Sequence, residues 1–376
     1  MLTMTKIYLS SPHLSGLEQG YVNDAFETNW IAPLGPHVDG FENAIETYLD
    51  QNNHVAVLSS GTASIHMALQ LLGVGRGDDV LCQSFTFSAS ANPILYQGAN
   101  PIFIDSEVDT WNMSPELLEV AIKDRLENHK KPKAIIAVHL YGMPYKANEI
   151  NAIAKTYGIP IIEDSAEALG SAYFGQKCGT LSDIGVLSFN GNKIITTSGG
   201  GALITKTREL KNKAVFLSTQ ARDSAPHYEH SSVGYNYRMS NVLAAIGRGQ
   251  LDVLDDRVNA RRQNYNFYKS TLSKFNSIQF LEEPKGFCSN RWLTCIVLDS
   301  FETREEIRVA LLAEDIESRP LWKPMHLQPV FKEAVSYTNG VSERLFNHGL
   351  CLPSGSNLSQ HDLERVVKVI SNTIAS

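Results

Sequence analysis

The 376-residue chain carries 33 Lys and Arg against 40 Asp and Glu, a net charge of 33 − 40 = −7 with no basic tract, so nucleic acid is not an expected partner. No apolar run reaches the roughly 20 residues of a membrane span, and the opening stretch has no signal-peptide pattern. The five cysteines, Cys82, Cys178, Cys288, Cys295 and Cys351, are scattered without a CxxC pair, which points to a reduced, cytoplasmic setting without a disulfide framework or structural zinc.

Residues 1–53 read as a short polar arm, a helix near 16–28, a loop and a second helix at about 38–49. The loop, Trp30-Ile31-Ala32-Pro33-Leu34-Gly35-Pro36, is stiffened by two prolines and a glycine, and alone it reads as a connector. The second helix places Phe41, Ile45 and Leu49 on one face.

From residue 54 an alternating order sets in. Strands are expected at 54–59, within 79–87, and at 101–105, 133–140, 159–163, 184–189 and 202–204. Helices fall between them. The helix at 62–72 carries Ile65, Ala68, Leu69 and Leu72 at i, i+3, i+4 and i+7. Another spans 89–96. Ser114-Pro115 reads as an N-cap followed by proline at the first helical position. The helix at 147–157 is closed by Gly158. This alternation predicts an α/β fold with a mostly parallel, seven-stranded sheet between helices. Near residue 250 the pattern changes. One long charged helix at 250–275, a strand around 292–298 and helices around 303–314 and 361–375 predict a smaller C-terminal α/β domain. The expected division is 1–249 and 250–376. No flexible linker separates the parts, so tight packing is expected.

Candidate chemistry gathers at the strand ends, where parallel α/β sheets bind ligands. Lys193 is a lone amine between two apolar strands, followed by Thr196, Thr197, Ser198 and three glycines. In a partly desolvated pocket such an amine can serve as nucleophile or base, although by itself it also reads as a solvated turn residue. Ser59-Ser60-Gly61-Thr62-Ala63-Ser64 lies where a strand becomes a helix, so its N–H groups and hydroxyls could hold a phosphate or merely cap the helix. Asp164 ends an apolar strand, either to pair with a ring nitrogen or as an N-cap. Phe87 is a stacking aromatic or plain core. Together these parts supply what pyridoxal phosphate requires: a phosphate cradle, an aromatic platform, an acid and an amine.

The combination resembles the fold-type I pyridoxal phosphate enzymes, and within them the DegT/DnrJ/EryC1/StrS nucleotide-sugar aminotransferases, over essentially the whole chain. The carrying stretches are SSGTAS at 59–64, SFTFSASANPI at 84–94, IEDSAEALGS at 162–171, SFNGNKIITTSGGGALI at 188–204 and GYNYRMSN at 234–241. The resemblance implies that Lys193 bonds the aldehyde of the cofactor and acts as the base, and that Asp164 partners its ring nitrogen. It implies that Ser60, Gly61, Thr62 and Ser188 hold its phosphate and that Phe87 stacks on it. Asn236 matches an asparagine that reaches the cofactor phosphate of the neighbouring subunit, which implies a homodimer with shared active sites. Two positions depart from the family pattern. Glu167 stands where many members have Gln, which leaves open its hydrogen bond near the cofactor. Ser198-Gly199-Gly200-Gly201 stands where many have Gly-Glu-Gly-Gly, so the acid of that stretch is missing here. Relatives that work as dehydratases carry His in place of the lysine, and here the residue is Lys193. A non-catalytic regulatory protein on this fold would be expected to have lost Lys193 or Asp164.

Five stretches resemble most closely the branch that aminates C4 of UDP-linked 4-keto-6-deoxy-N-acetylglucosamine: 30–36, 218–222, 227–230, 289–292 and 319–326. The substrate contacts implied are Pro33, Leu34, Arg222, His227, Tyr228, Arg238, Arg319 and His326. Arg291 and Lys323 are further cations available for a diphosphate, and any of these arginines could instead sit in a structural ion pair. L-Glutamate is the donor implied by the family. A dTDP-linked or other keto sugar remains the alternative substrate. His227-Tyr228-Glu229-His230 superficially resembles a metal pair, but no further ligands cluster with it, so no metal is expected.

Overall fold

The computed structural model describes residues 6–50 and 52–375; residues 1–5 of the expected N-terminal arm, Gln51 and Ser376 lie outside the described residues. The long apolar runs of the sequence become strands buried on both faces. Asp79–Gln83, Ala134–Val138 and Ile161–Asp164 are buried at every position, as a sheet covered by helices on both sides requires. The sheet runs in the order His54–Leu58, Gly201–Thr205, Ile184–Ser188, Ile161–Asp164, Ala134–Val138, Asp79–Gln83, Asn100–Ile104, Ser336–Tyr337. Gly201–Thr205 is antiparallel to both its neighbours, and every other pairing is parallel.

The seven strands expected from the sequence are present, and an eighth joins them. Ser336 and Tyr337, far along the C-terminal part, pair with Phe103 and Ile104 at the sheet edge. Helices Gly61–Leu71, Ser88–Tyr96 and Arg208–Ser218 cover one face through Ile65, Ala91, Ile94 and Ala214. Pro115–Glu127 and Ala147–Tyr157 cover the other through Leu118, Ile122 and Ile150. The Ser114 hydroxyl accepts from Leu117 N at 3.2 Å, as its capping position predicts.

The long helix expected at 250–275 is instead two, Asn241–Leu251 and Leu254–Leu272, with the break at Asp252 and Val253. The expected domain boundary between residues 249 and 250 therefore falls inside the first of these helices. The second begins the C-terminal lobe, which is built on an antiparallel sheet in the order Ile278–Phe280, Thr294–Leu298, Gly349–Leu352, Arg319–Pro320. Helices Phe301–Ala313 and Gln360–Ala375 close its core through Ile307, Leu311, Val366 and Ile370. A separate apolar cluster joins the lobes: Phe85, Leu140 and Tyr141 on one side meet Trp292, Leu293, Cys295, Leu321 and Cys351 on the other. The second lobe thus packs directly over the ends of the strands that carry Asp164 and Ser188. Among the described residues, no helix is long and apolar enough to cross a membrane.

Candidate active site

The strand ends and the second lobe enclose a cavity of ≈ 590 Å³. At its floor the chain turns from strand His54–Leu58 into helix Gly61–Leu71. Ser60 caps that helix, its hydroxyl accepting from Ala63 N at 3.0 Å. The first N–H groups of a helix have no partner within it, so this turn presents donors and a positive dipole end to an anion. Two glycines make the turn possible. A Cβ on Gly201 would lie 2.4 Å from the carbonyl carbon of Ser60, and one on Gly61 would lie 2.9 Å from Ser188 Cβ. Bare backbone therefore brings the Ser60-Gly61-Thr62 turn and Ser188 into contact, and all four residues line the cavity or its wall.

Asp164 is 4% exposed. One of its oxygens accepts from the Ser90 hydroxyl at 2.6 Å and the other from Ala166 N at 3.1 Å. Thr86 Oγ1 lies 2.8 Å from Ser90 Oγ and extends this chain of hydrogen bonds. The carboxyl is thus fixed in orientation at the cavity wall.

Lys193 follows a tight turn, its N–H donating to Asn190 O at 3.0 Å. Its Nζ lies 3.3 Å from Glu167 Oε1 and 4.3 Å from the centre of the Trp292 ring. Trp292 Nε1 donates to Asn192 O at 2.7 Å, so the loop that carries the lysine is tied to the indole beside it. Glu167 is buried and accepts from Tyr141 N at 2.7 Å. Burial pushes its carboxyl up to about 7, against the pull of the Lys193 ammonium and the Tyr141 N–H, and the charge of Asp164 adds to the rise. Phe87 lines the cavity with its ring 56% exposed, 5.4 Å from that of Trp322.

Ser60, Gly61, Thr62, Phe87, Asp164, Glu167, Ser188, Lys193 and Arg319 are therefore brought together around one cavity. The others are not. The Arg238 side chain, 9% exposed, takes the ion-pair alternative: it pairs with buried Glu42 and donates to Val57 O at 3.1 Å. Glu42 needs counter-charge there, and Arg238 supplies it together with Lys211, whose Nζ lies 3.2 Å from Glu42 Oε2. His326 also turns away, with Nδ1 2.6 Å from Ser84 Oγ and Nε2 3.2 Å from Glu343 Oε1. Pro33, Leu34, Arg222, His227, Tyr228 and Asn236 are exposed and outside the cavity wall of this chain. The Arg222 guanidinium sits 4.3 Å from the Tyr228 ring centre, and His227 Nε2 lies 3.1 Å from Glu229. Among the other cations, Arg291 is buried over the Tyr265 ring, and Arg319 pairs with Glu317 at 2.8 Å.

Reading the sequence missed the parts that hold the acid and the amine. Ser90 lies three residues after Phe87 in a stretch already singled out, and its spacing into the helix was the available signal. Trp292 comes to Lys193 from the other lobe, and nothing local announces that. Elsewhere, His139, Glu163 and Cys178 form a buried group with metal-ligand chemistry. The carboxylate of Glu163 is already taken up by His139 at 2.7 Å and by the N–H groups of Leu181 and Ser182, so this group reads as structural.

The donor set fits pyridoxal phosphate: an anion-binding turn, an oriented buried carboxyl and a lone amine share one cavity. Comparison with known proteins agrees. Residues 12–371 match the model of the DegT/DnrJ/EryC1/StrS aminotransferase family. The chain is 52% identical over 369 residues to the "Putative pyridoxal phosphate-dependent aminotransferase EpsN" of Bacillus subtilis (strain 168), covering 97% of this chain and 95% of that protein. It is 36% identical to a GDP-perosamine synthase of Escherichia coli O157:H7, covering 98% of both. Among solved structures, a DegT DnrJ EryC1 StrS aminotransferase from Brucella abortus superposes with a TM-score of 0.89 at 31% identity, over 95% of each chain.

Proposed function

The chain belongs to the DegT/DnrJ/EryC1/StrS aminotransferase family, and from that premise we propose that it transfers the amino group of L-glutamate to C4 of a UDP-linked 4-keto-6-deoxy-N-acetylglucosamine. The products are the UDP-4-amino sugar and 2-oxoglutarate, and surface glycan synthesis is the use. That the chain is a pyridoxal phosphate-dependent sugar aminotransferase follows from the family and its relatives. The observation that carries amine chemistry is the half-buried Lys193 Nζ between Glu167 Oε1 and the Trp292 ring, in the cavity that also holds Asp164. The C4 position and the UDP carrier rest on the resemblance of the five stretches at 30–36, 218–222, 227–230, 289–292 and 319–326.

Bound pyridoxal phosphate supplies an electron-poor ring that takes up negative charge when the donor's α-proton leaves. The chain's own residues do the rest. The Ser60-Gly61-Thr62 turn and Ser188 hold the phosphate. Asp164, oriented by Ser90 and Ala166, keeps a proton on the ring nitrogen. Lys193 Nζ anchors the cofactor and, once released, carries the proton away from the donor's α-carbon. The second lobe, through Trp292, Leu293 and Trp322, keeps water from the reacting atoms. In this reading two copies share their sites. Exposed Asn236 and the projecting loop with Arg222, His227 and Tyr228 serve the partner's cavity, and the two lobes, the second beginning at Leu254, divide cofactor binding from closure. A cytoplasmic enzyme suits both the nucleotide-linked substrate and the five free thiols.

A second reading, amination of a GDP-linked sugar, is favoured by the relative named GDP-perosamine synthase. The deciding experiment offers the protein glutamate and a panel of UDP-, GDP- and dTDP-linked 4-keto-6-deoxy sugars, with products identified by mass and NMR. Amination of the UDP-N-acetyl sugar is expected. Amination of GDP or dTDP sugars alone would refute the substrate and leave the enzyme class intact.

A further inference from the structure

We infer that Glu167 and Lys193 form a proton-sharing pair, in which Glu167 Oε1 receives the proton that Lys193 Nζ gives up when it works as a neutral amine. The inference rests on the aminotransferase reading only for what the amine is used for. The pair itself belongs to the chain without cofactor.

Among the described residues, Glu167 gives Lys193 its nearest proton-accepting group. Nζ lies 3.3 Å from Glu167 Oε1, with the two side chains only 11% and 4% exposed. Its other close neighbour is the face of Trp292, 4.3 Å away, which attracts a cation but accepts no proton. The second oxygen of Glu167 is occupied by Tyr141 N, and its backbone carbonyl by Asn290 Nδ2 at 2.8 Å, so Oε1 is the oxygen left for the amine.

The remaining titratable groups packed around the pair do not compete. From the strand Ile161–Asp164 comes Asp164, whose two oxygens are engaged by Ser90 and Ala166. From the turn at 140–142 comes Tyr141, whose hydroxyl accepts from Trp322 N at 2.9 Å. From the second lobe come Cys295 and Cys351, paired across two strands. Burial holds the Tyr141 hydroxyl and the Cys295 thiol in their protonated forms. Burial also raises the proton affinity of the Glu167 carboxyl. Moving one proton from Nζ to Oε1 breaks one N–H bond, makes one O–H bond and replaces two buried charges by none. The low exposure of both side chains favours that exchange. The family's more frequent glutamine can accept a hydrogen bond here but not the proton.

The test uses the cofactor-free protein. Reductive methylation of Lys193 is followed by peptide mass spectrometry from about pH 5 to about pH 10 in wild type, Glu167→Gln and Glu167→Asp, with folding checked by circular dichroism. Wild type is expected to show a two-step profile with an inflection near the carboxyl titration. Glu167→Gln is expected to show a single step displaced about one pH unit or more to lower pH, because the ammonium has lost its counter-charge. Glu167→Asp is expected to restore part of the wild-type shape. A single-step wild-type profile, displaced or not, would overturn the proton sharing, as would superimposable profiles for wild type and Glu167→Gln. Should Glu167→Gln fail to fold, carbon-13 NMR of the Glu167 carboxyl in wild type and Lys193→Met decides: its midpoint rises when the cation is removed, and an unmoved midpoint overturns the proposal. Neither readout depends on turnover, so failure of the pair and failure of the aminotransferase reading are distinguishable.

Discussion

In the proposed mechanism Lys193 carries the amine chemistry, and its loss has a distinct expected effect. Lys193→Ala removes the only amine among the residues that line the cavity but leaves the Ser60–Thr62 turn and Asp164. Turnover is expected to fall about a hundred-fold or more, while cofactor that stays with the protein through gel filtration still shows binding. Activity within a few fold of wild type would sink the assignment. Arg238 gives the opposite expectation. Arg238→Met leaves buried Glu42 with Lys211 alone as its counter-charge, which costs about 1–2 kcal/mol of stability, with little change in KM for the sugar. A thermal melt beside steady-state kinetics separates this from a substrate role. At this scale the sequence was informative where a polar residue interrupts an apolar run, as at Asp164 and Lys193. It was silent where the decisive partner is distant: Trp292 is 99 positions from Lys193, and Glu42 is 196 from Arg238.

The elements themselves meet through bare backbone and buried capping groups. Gly201 begins the strand that crosses the Ser60–Gly61 turn, and a side chain there would overlap main-chain atoms. Gly201→Val is therefore expected to displace the anion-binding turn, lowering both Tm and cofactor affinity. A variant that binds cofactor normally would show that the turn can move aside. Glu18 joins two helices: it accepts from Ser15 N and Gly16 N at 2.8 and 2.9 Å, ahead of its own helix Glu18–Glu27, and it also bonds Gln250 of Asn241–Leu251. Burial alone would push its carboxyl up, but these bonds outweigh it and hold it at about 2. A depressed carboxyl stabilises the fold above its ordinary value of 4.5 and loses that contribution as pH falls through about 2. The Tm gap between wild type and Glu18→Gln is thus expected to close over that acid window, as read by melts at stepped pH. Element order and most strand ends were legible because buried parallel strands leave continuous apolar runs. The break at Asp252 and Val253 was not, since Leu251, Leu254 and Val258 keep helical spacing across it without a glycine or proline.

For the molecule as a whole, the shared-site reading makes a test that no single-residue change provides. Mixing an Asn236-defective protein with a Lys193-defective one is expected to restore activity toward about a quarter of the sites, because one of the two cavities in a hybrid dimer carries neither lesion. Confirmed subunit exchange without recovery would end that reading. The least legible feature of the fold was the sheet edge. Ser336 and Tyr337 are two residues with no periodicity of their own, yet they pair with Asn100–Ile104 from the other half of the chain. Their position has a consequence for synthesis. A ribosome releases the seven long strands well before residue 337, so during elongation the strand Asn100–Ile104 stands with unpaired N–H and C=O groups facing the cell. Such an edge invites pairing with another nascent chain. The yield of this enzyme from cells should therefore depend on how quickly translation covers its last third, and on chaperones that shield the edge meanwhile.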